Sequence, residues 1–144
     1  MLKWIDIPPV WLFGFMLLAS MIFPVTPAPE VAGIAVAMMV GAVALMAWAA
    51  LTMLRERTTV VPHRRASSLV TSGPFRFSRN PIYLGDAIFL SGYLFYAHPW
   101  WSQVLVAAFT VLIANRFIAP EEARLHDDFG VAFGDWCAKV RRWF

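Results

Sequence analysis

The sequence predicts an all-α integral membrane protein: four transmembrane helices in two hairpins, followed by a cytoplasmic amphipathic helical tail. Three observations carry that expectation. Of 144 residues, 60% are hydrophobic and 15% charged, against about 45–50% and about 25% in an ordinary soluble domain. Mean hydropathy is +0.62. The charges are also segregated: Ile7–Pro29, Val31–Leu54 and Ala87–Asn115 contain none. A single cysteine, Cys137, excludes an intramolecular disulfide framework and any multi-cysteine metal cage.

The first span is expected over about 7–23 and the second over 31–54, each close to the roughly 20 apolar residues that cross about 30 Å of hydrocarbon. Between them Pro24, Pro27 and Pro29 break any continuous helix. The absence of a small-x-small cleavage site before these prolines favours an uncleaved first span over a signal peptide. His98-Pro99 divides the next apolar stretch, because proline biases its predecessor away from helical geometry. That gives a third span at 81–97 and a fourth at 100–119. The third is short, roughly 25 Å at about 1.5 Å per residue, so local thinning or a partial crossing would accommodate it. Trp100 and Trp101 would then lie at the far interface, where tryptophan is enriched.

All twelve Lys and Arg residues fall in three stretches, Lys3, Arg55–Arg79 and Arg116–Arg142. Four crossings put all three on one face, which the positive-inside rule makes cytoplasmic; three or five would split them. Both termini are therefore expected in the cytoplasm, and Cys137 in a reducing compartment. The net charge of +3 is explained by orientation and attraction to anionic lipid, and nucleic acid is not an expected partner.

Two polar segments carry the chemistry. The loop 55–80 leads into Leu69–Asp86, LVTSGPFRFSRNPIYLGD. Gly73-Pro74 signals a turn; Asn80-Pro81 signals a helix start, with Asn as side-chain cap and Pro at the first helical position. The tail 120–144 opens with Pro120-Glu121-Glu122, again a helix start with carboxylates in its first turn. Phe129, Phe133, Trp136, Val140 and Trp143 then recur at helical spacing, an amphipathic helix at the membrane interface broken near Gly130. Capping and surface anchoring would explain each segment alone. Together, four spans bring Arg79, Asn80, Tyr83 and Asp86 near Arg116, Glu121 and Glu122. Ionisable groups at membrane depth are costly and usually face a polar cavity. Arginines suit a carboxylate, glutamates an ammonium or ribose hydroxyls, and aromatics a flat ring. The three scattered histidines do not suggest a metal site.

Leu69–Gly85 together with Glu121–Trp143 (the Glu-Glu pair, Phe129-Gly130 and the aromatic-rich Arg141-Arg142-Trp143 ending) resembles the membrane methyltransferases related to isoprenylcysteine carboxyl methyltransferase, which include phospholipid methyltransferases. Thr58-Thr59 and Pro62 fit the bacterial members. The resemblance covers about residues 55–144 and implies S-adenosylmethionine-dependent methyl transfer to a lipid-like or hydrophobic acceptor, on an all-helical fold without a Rossmann sheet. No GxGxxG follows a strand here. Carried across, the cofactor-binding residues are Arg79, Asn80, Pro81, Tyr83, Leu84, Gly85, Glu121 and Glu122, with Phe133, Trp136, Arg141 and Arg142 matching less closely. Arg79 or Arg141 would pair the cofactor carboxylate. Glu122 and Asp86 are the candidate catalytic bases, needed for an amine acceptor and not for a carboxylate. The sequence departs from the usual pattern at Asn80, where His is common, at Phe133 and Trp136, where Tyr is frequent, and in ending without a trailing proline segment. A non-enzymatic assembly or regulatory subunit is the alternative; a transporter fits less well, because the outer half of every span lacks an ionisable residue. Membrane lipids are the other expected partners.

Overall fold

The computed structural model describes residues 6–58 and 67–144; Lys3, Thr59, Pro62 and His63 lie outside them. The described residues are helical, with turns and loops and no strand. The helices are α1 (Pro8–Ile22), α2 (Ala32–Arg55), α3 (Pro81–Ala97), α4 (Val104–Ile113) and α5 (Ala119–Lys139). Short 3-10 turns at Pro29–Val31, Gly73–Arg76 and Trp100–Gln103 link them. By length and composition, Pro29–Arg55 and the run Trp100–Lys139 are apolar enough to cross a membrane, while α1 is a shorter apolar helix. Exposed side chains such as Phe13, Leu17, Met21, Ile34 and Val40 give α1 and α2 broad apolar outer faces, as a bilayer solvent requires.

α3 is the hub. Its seam with α2 is built on small residues seven apart, the spacing that keeps one stripe facing a partner helix. Ala35, Ala42 and Ala49 of α2 are fully buried, and Gly85 and Gly92 of α3 face them. A Cβ on Gly92 would stand 2.9 Å from the Ala35 carbonyl oxygen, and one on Gly85 would stand 2.4 Å from Met46 Cγ. At Gly92 the backbones approach so closely that any side chain must displace α2, and at Gly85 it must displace the Met46 side chain. The opposite flank of α3 supplies Tyr83, Ala87, Leu90 and Leu94 to a core shared with Leu12 of α1 and Phe109 of α4.

The two ends of this bundle differ. At one, the α1–α2 loop is tied to the end of α3: Thr26 and Ala28 N–H donate to the Ala97 and Tyr96 carbonyls at 2.9 and 3.0 Å. His98 Nδ1 hydrogen-bonds the Pro24 carbonyl at 3.1 Å. At the other end the polar loop and tail come together.

Two expectations are corrected here. The run beginning at Trp100 does not stop near Ala119 and restart at Pro120. It continues through a π-helical turn, Ala114–Ile118, into α5. A proline ring collides with the carbonyl four residues earlier in a regular α-helix, and the wider π turn gives it room. The tail, moreover, spends its apolar face on protein. Phe133, Trp136 and Val140 pack with Val70 and Phe75 of the loop and Ala49 of α2, and Trp136 Nε1 donates to the Phe75 carbonyl at 3.2 Å. The kink expected near Gly130 is present: its φ of 50° and ψ of −117° lie outside the helical region. That bend turns the second half of α5 back onto the loop.

Candidate active site

The site forms where the start of α3 meets the start of α5. Pro81 sits at the beginning of α3, fully buried, and fixes the helix entry. Asn80 does not cap α3 with its side chain, contrary to expectation. Its Nδ2 donates instead to the Arg142 carbonyl at 3.0 Å, and Ser78 Oγ accepts the Asn80 N–H at 3.1 Å. The local cap is traded for a tertiary contact with the tail.

Arg79 points into the junction. Its Nη2 lies 3.0 Å from Glu122 Oε1 and its Nη1 donates to the Cys137 carbonyl at 3.4 Å. Its buried Nε has no hydrogen-bond partner. Glu122 is held from the other side by Arg142, through Nη2 to Oε2 at 2.5 Å and Nε to Oε1 at 3.3 Å. That hydrogen bond pushes the Arg142 pKa above its usual value, with partial burial opposing it. One carboxylate thus sits between two guanidiniums. Beside it, the Tyr83 hydroxyl donates to Glu121 Oε2 at 3.0 Å, and the Tyr83 ring lies against Phe117, centroids 6.3 Å apart.

Not every expected residue joins this junction. Asp86 is buried at 3% exposure one turn deeper in α3, and its Oδ2 has no hydrogen-bond partner. Gly85 faces the α2 seam, a packing duty. Leu84 instead lines an apolar groove of about 420 Å³ with Met38, Ser91, Val106, Trp143 and Phe144, within the size range of small-molecule sites. The Arg141 side chain is exposed; its contribution is a backbone carbonyl that accepts the Arg79 N–H at 3.0 Å. Arg116, expected near the cluster, turns away. Its Nε and Nη2 donate to Asp6 at 2.7 and 2.9 Å, and its guanidinium lies 5.3 Å from the Trp11 ring centroid. Thr58 Oγ1 accepts the Ser67 N–H at 3.2 Å.

Arg142 is the inward arginine of its pair. The chain leaves α5 at Val140, whose φ of −124° and ψ of 129° end the helical spacing, and it bends again at Arg142. The RRW string announces a basic ending, but which arginine faces inward depends on where the helix stops. Ser78, which donates to the Arg142 carbonyl at 3.4 Å, carries no sequence signal beyond its place in FRFSR. Among the described residues no group of three His, Cys, Asp or Glu could hold a metal ion.

No curated protein and no solved structure matches the chain. A family profile described as phospholipid methyltransferase does, over residues 13–131. That stretch includes all of α2, α3 and α4, the Arg79–Tyr83 segment and both glutamates, and stops short of Arg142. The chain belongs to the phospholipid methyltransferase family.

Proposed function

We propose that this protein transfers a methyl group from S-adenosylmethionine to a lipid-like or hydrophobic acceptor at the cytoplasmic face of a membrane, in bacteria the inner membrane, with four crossings and both termini in the cytoplasm. The observation that carries the reading is the junction itself. Arg79 and Tyr83, at the start of one helix, contact Glu122 and Glu121, some forty residues away, and the next residues along the chain, Leu84 after Tyr83 and Trp143 after Arg142, line an apolar groove. A water-soluble cofactor and a lipid-borne acceptor need such a meeting of polar and apolar surfaces.

The residues present fit a zwitterionic, ribose-bearing ligand. The unpartnered buried Nε of Arg79 suits a carboxylate. Glu121 and Glu122 suit an ammonium or ribose hydroxyls, and Tyr83, seated on Phe117, presents a ring edge and a hydroxyl for orientation. When bound, S-adenosylmethionine supplies a methyl group activated by its sulfonium. The protein's own part is to hold the acceptor atom about 3–3.5 Å from that carbon in a dry site. The groove beside Leu84 supplies the dry wall. For an amine acceptor the proton has two candidate destinations, Glu122 at the junction and Asp86 one turn deeper. Asp86, with a buried oxygen lacking a partner, is the more available of the two.

Titration of the protein in lipid nanodiscs with S-adenosylhomocysteine tests the reading. One saturable site is expected, weakened at least tenfold in Arg79→Ala and Glu121→Ala. No binding by the wild type overturns it in favour of a non-enzymatic subunit.

A further inference from the structure

The segment following α5 touches both halves of the site at once. Its backbone is strapped across the entrance to α3: the Arg79 N–H donates to the Arg141 carbonyl at 3.0 Å, and Asn80 Nδ2 and Ser78 Oγ donate to the Arg142 carbonyl at 3.0 and 3.4 Å. The Arg142 side chain grips Glu122. The next two residues, Trp143 and Phe144, form one wall of the apolar groove against Leu84, Ala87 and Ile88 of α3. Trp143 also packs against the main core.

Two consequences follow from the placement. Glu122 has both carboxylate oxygens engaged by guanidiniums, so the cation slot on Glu122 is already filled by the protein's own Arg142. A ligand bringing an ammonium to Glu122 has to displace it. Arg142 and Trp143 are also adjacent in the chain, so a shift that withdraws one moves the other. Outside α5, the strap is held by three hydrogen bonds, one forked ion pair and the packing of Trp143, while Arg141 and Phe144 are exposed.

We propose that Arg141–Phe144 is a lid held shut by Arg142 acting as an internal stand-in for the ligand's cationic group, and that its release opens the polar site and reshapes the apolar groove in one movement. Resting on the cofactor reading above, this makes binding at the two halves energetically coupled. Linkage then requires a groove ligand to change affinity at the polar site by the same factor as the reverse.

The test is amide hydrogen exchange in nanodiscs, read at the Arg79 N–H that the strap covers. Quenching of Trp143 by bromo-acyl lipid is measured alongside, isolated as the difference between the wild type and Trp143→Phe. Three samples are compared: wild type alone, wild type saturated with S-adenosylhomocysteine, and Arg142→Gln alone. Exchange at Arg79 should accelerate at least tenfold in the second and third samples while α3 core amides stay protected, and Trp143 quenching should change in step. Unaltered Arg79 exchange in folded Arg142→Gln, or faster exchange with unaltered Trp143 quenching, overturns the lid. Absence of S-adenosylhomocysteine binding by calorimetry instead sinks the cofactor reading, and the Arg142→Gln comparison, which needs no ligand, still decides the lid. Should that variant fail to fold, the ligand-loaded wild type decides it.

Discussion

Glu122 is the side chain on which most of the polar geometry converges. It is 17% exposed and accepts from guanidiniums on both sides. Glu122→Gln leaves two half-buried cations facing each other without an anion. Breaking a buried pair costs about 3–5 kcal/mol, and the partial exposure of Arg142 puts the expected loss nearer the bottom of that range. Thermal unfolding in detergent checks it, and Glu122→Asp should recover only part because its carboxylate is one methylene short of the fork. Tyr83→Phe is a narrower change, deleting a single hydroxyl donated to a carboxylate. A hydrogen bond to a charged group is worth about 1.5–3 kcal/mol, so stability should fall by about that amount while the ring keeps its place on Phe117. An unaltered thermal unfolding transition would show that this bond contributes nothing to holding Glu121.

At the scale of the element, the bend in α5 decides where the tail goes. The backbone angles at Gly130 are open to glycine and strained for other residues, by about 1–3 kcal/mol. A Cβ there meets nothing within 4 Å, so Gly130→Ala isolates the backbone effect. The variant should lose that amount of stability or straighten the helix, releasing Phe133 and Trp136 from Phe75; near-ultraviolet circular dichroism distinguishes these two results. The sequence made the kink legible, because a glycine interrupts a well-formed amphipathic pattern. It did not reveal what the apolar face covers. Phe133 and Trp136 have the same periodicity whether they meet lipid or a loop, and the loop's own aromatics, Phe75 buried and Phe77 exposed, are chemically identical. The Asn80 cap failed for a related reason: a side chain that can satisfy a helix end locally can equally reach a carbonyl sixty residues away.

For the whole molecule, the arrangement of helices ties every polar segment to one end of the bundle. Asp6 reaches Arg116, Glu56 reaches Ser72, and Arg79 reaches Glu122, while the α1–α2 loop closes with the end of α3 at the other. If four crossings are correct, Cys137 in spheroplasts of an expressing bacterium should resist an impermeant maleimide, and a cysteine introduced in place of Glu30 in a Cys137→Ser background should react. Reaction of both, or of neither, contradicts that topology. The clamp between Asp6 and Arg116 sits at the polar end and is half exposed. A double-mutant cycle should give a small coupling that salt removes, as is typical of exposed pairs.

Charge segregation and the length of apolar runs determined the helices, their order and the end of the molecule that gathers polar groups, because those properties belong to single segments and to the solvent each can tolerate. The Arg79–Tyr83 and Glu121–Glu122 strings were also readable, since ionisable residues beside an apolar run need partners. Tertiary structure alone decided how they pair. It gave Glu122 to Arg142 over Arg141, diverted Arg116 to Asp6, put Gly85 on a helix seam, and carried the last helix through Pro120 on a π turn. Each of these outcomes rests on the direction a side chain takes once the backbone has turned. Adjacent residues of one chemistry are then separated by where a helix ends, and that end is set by contacts distant in sequence.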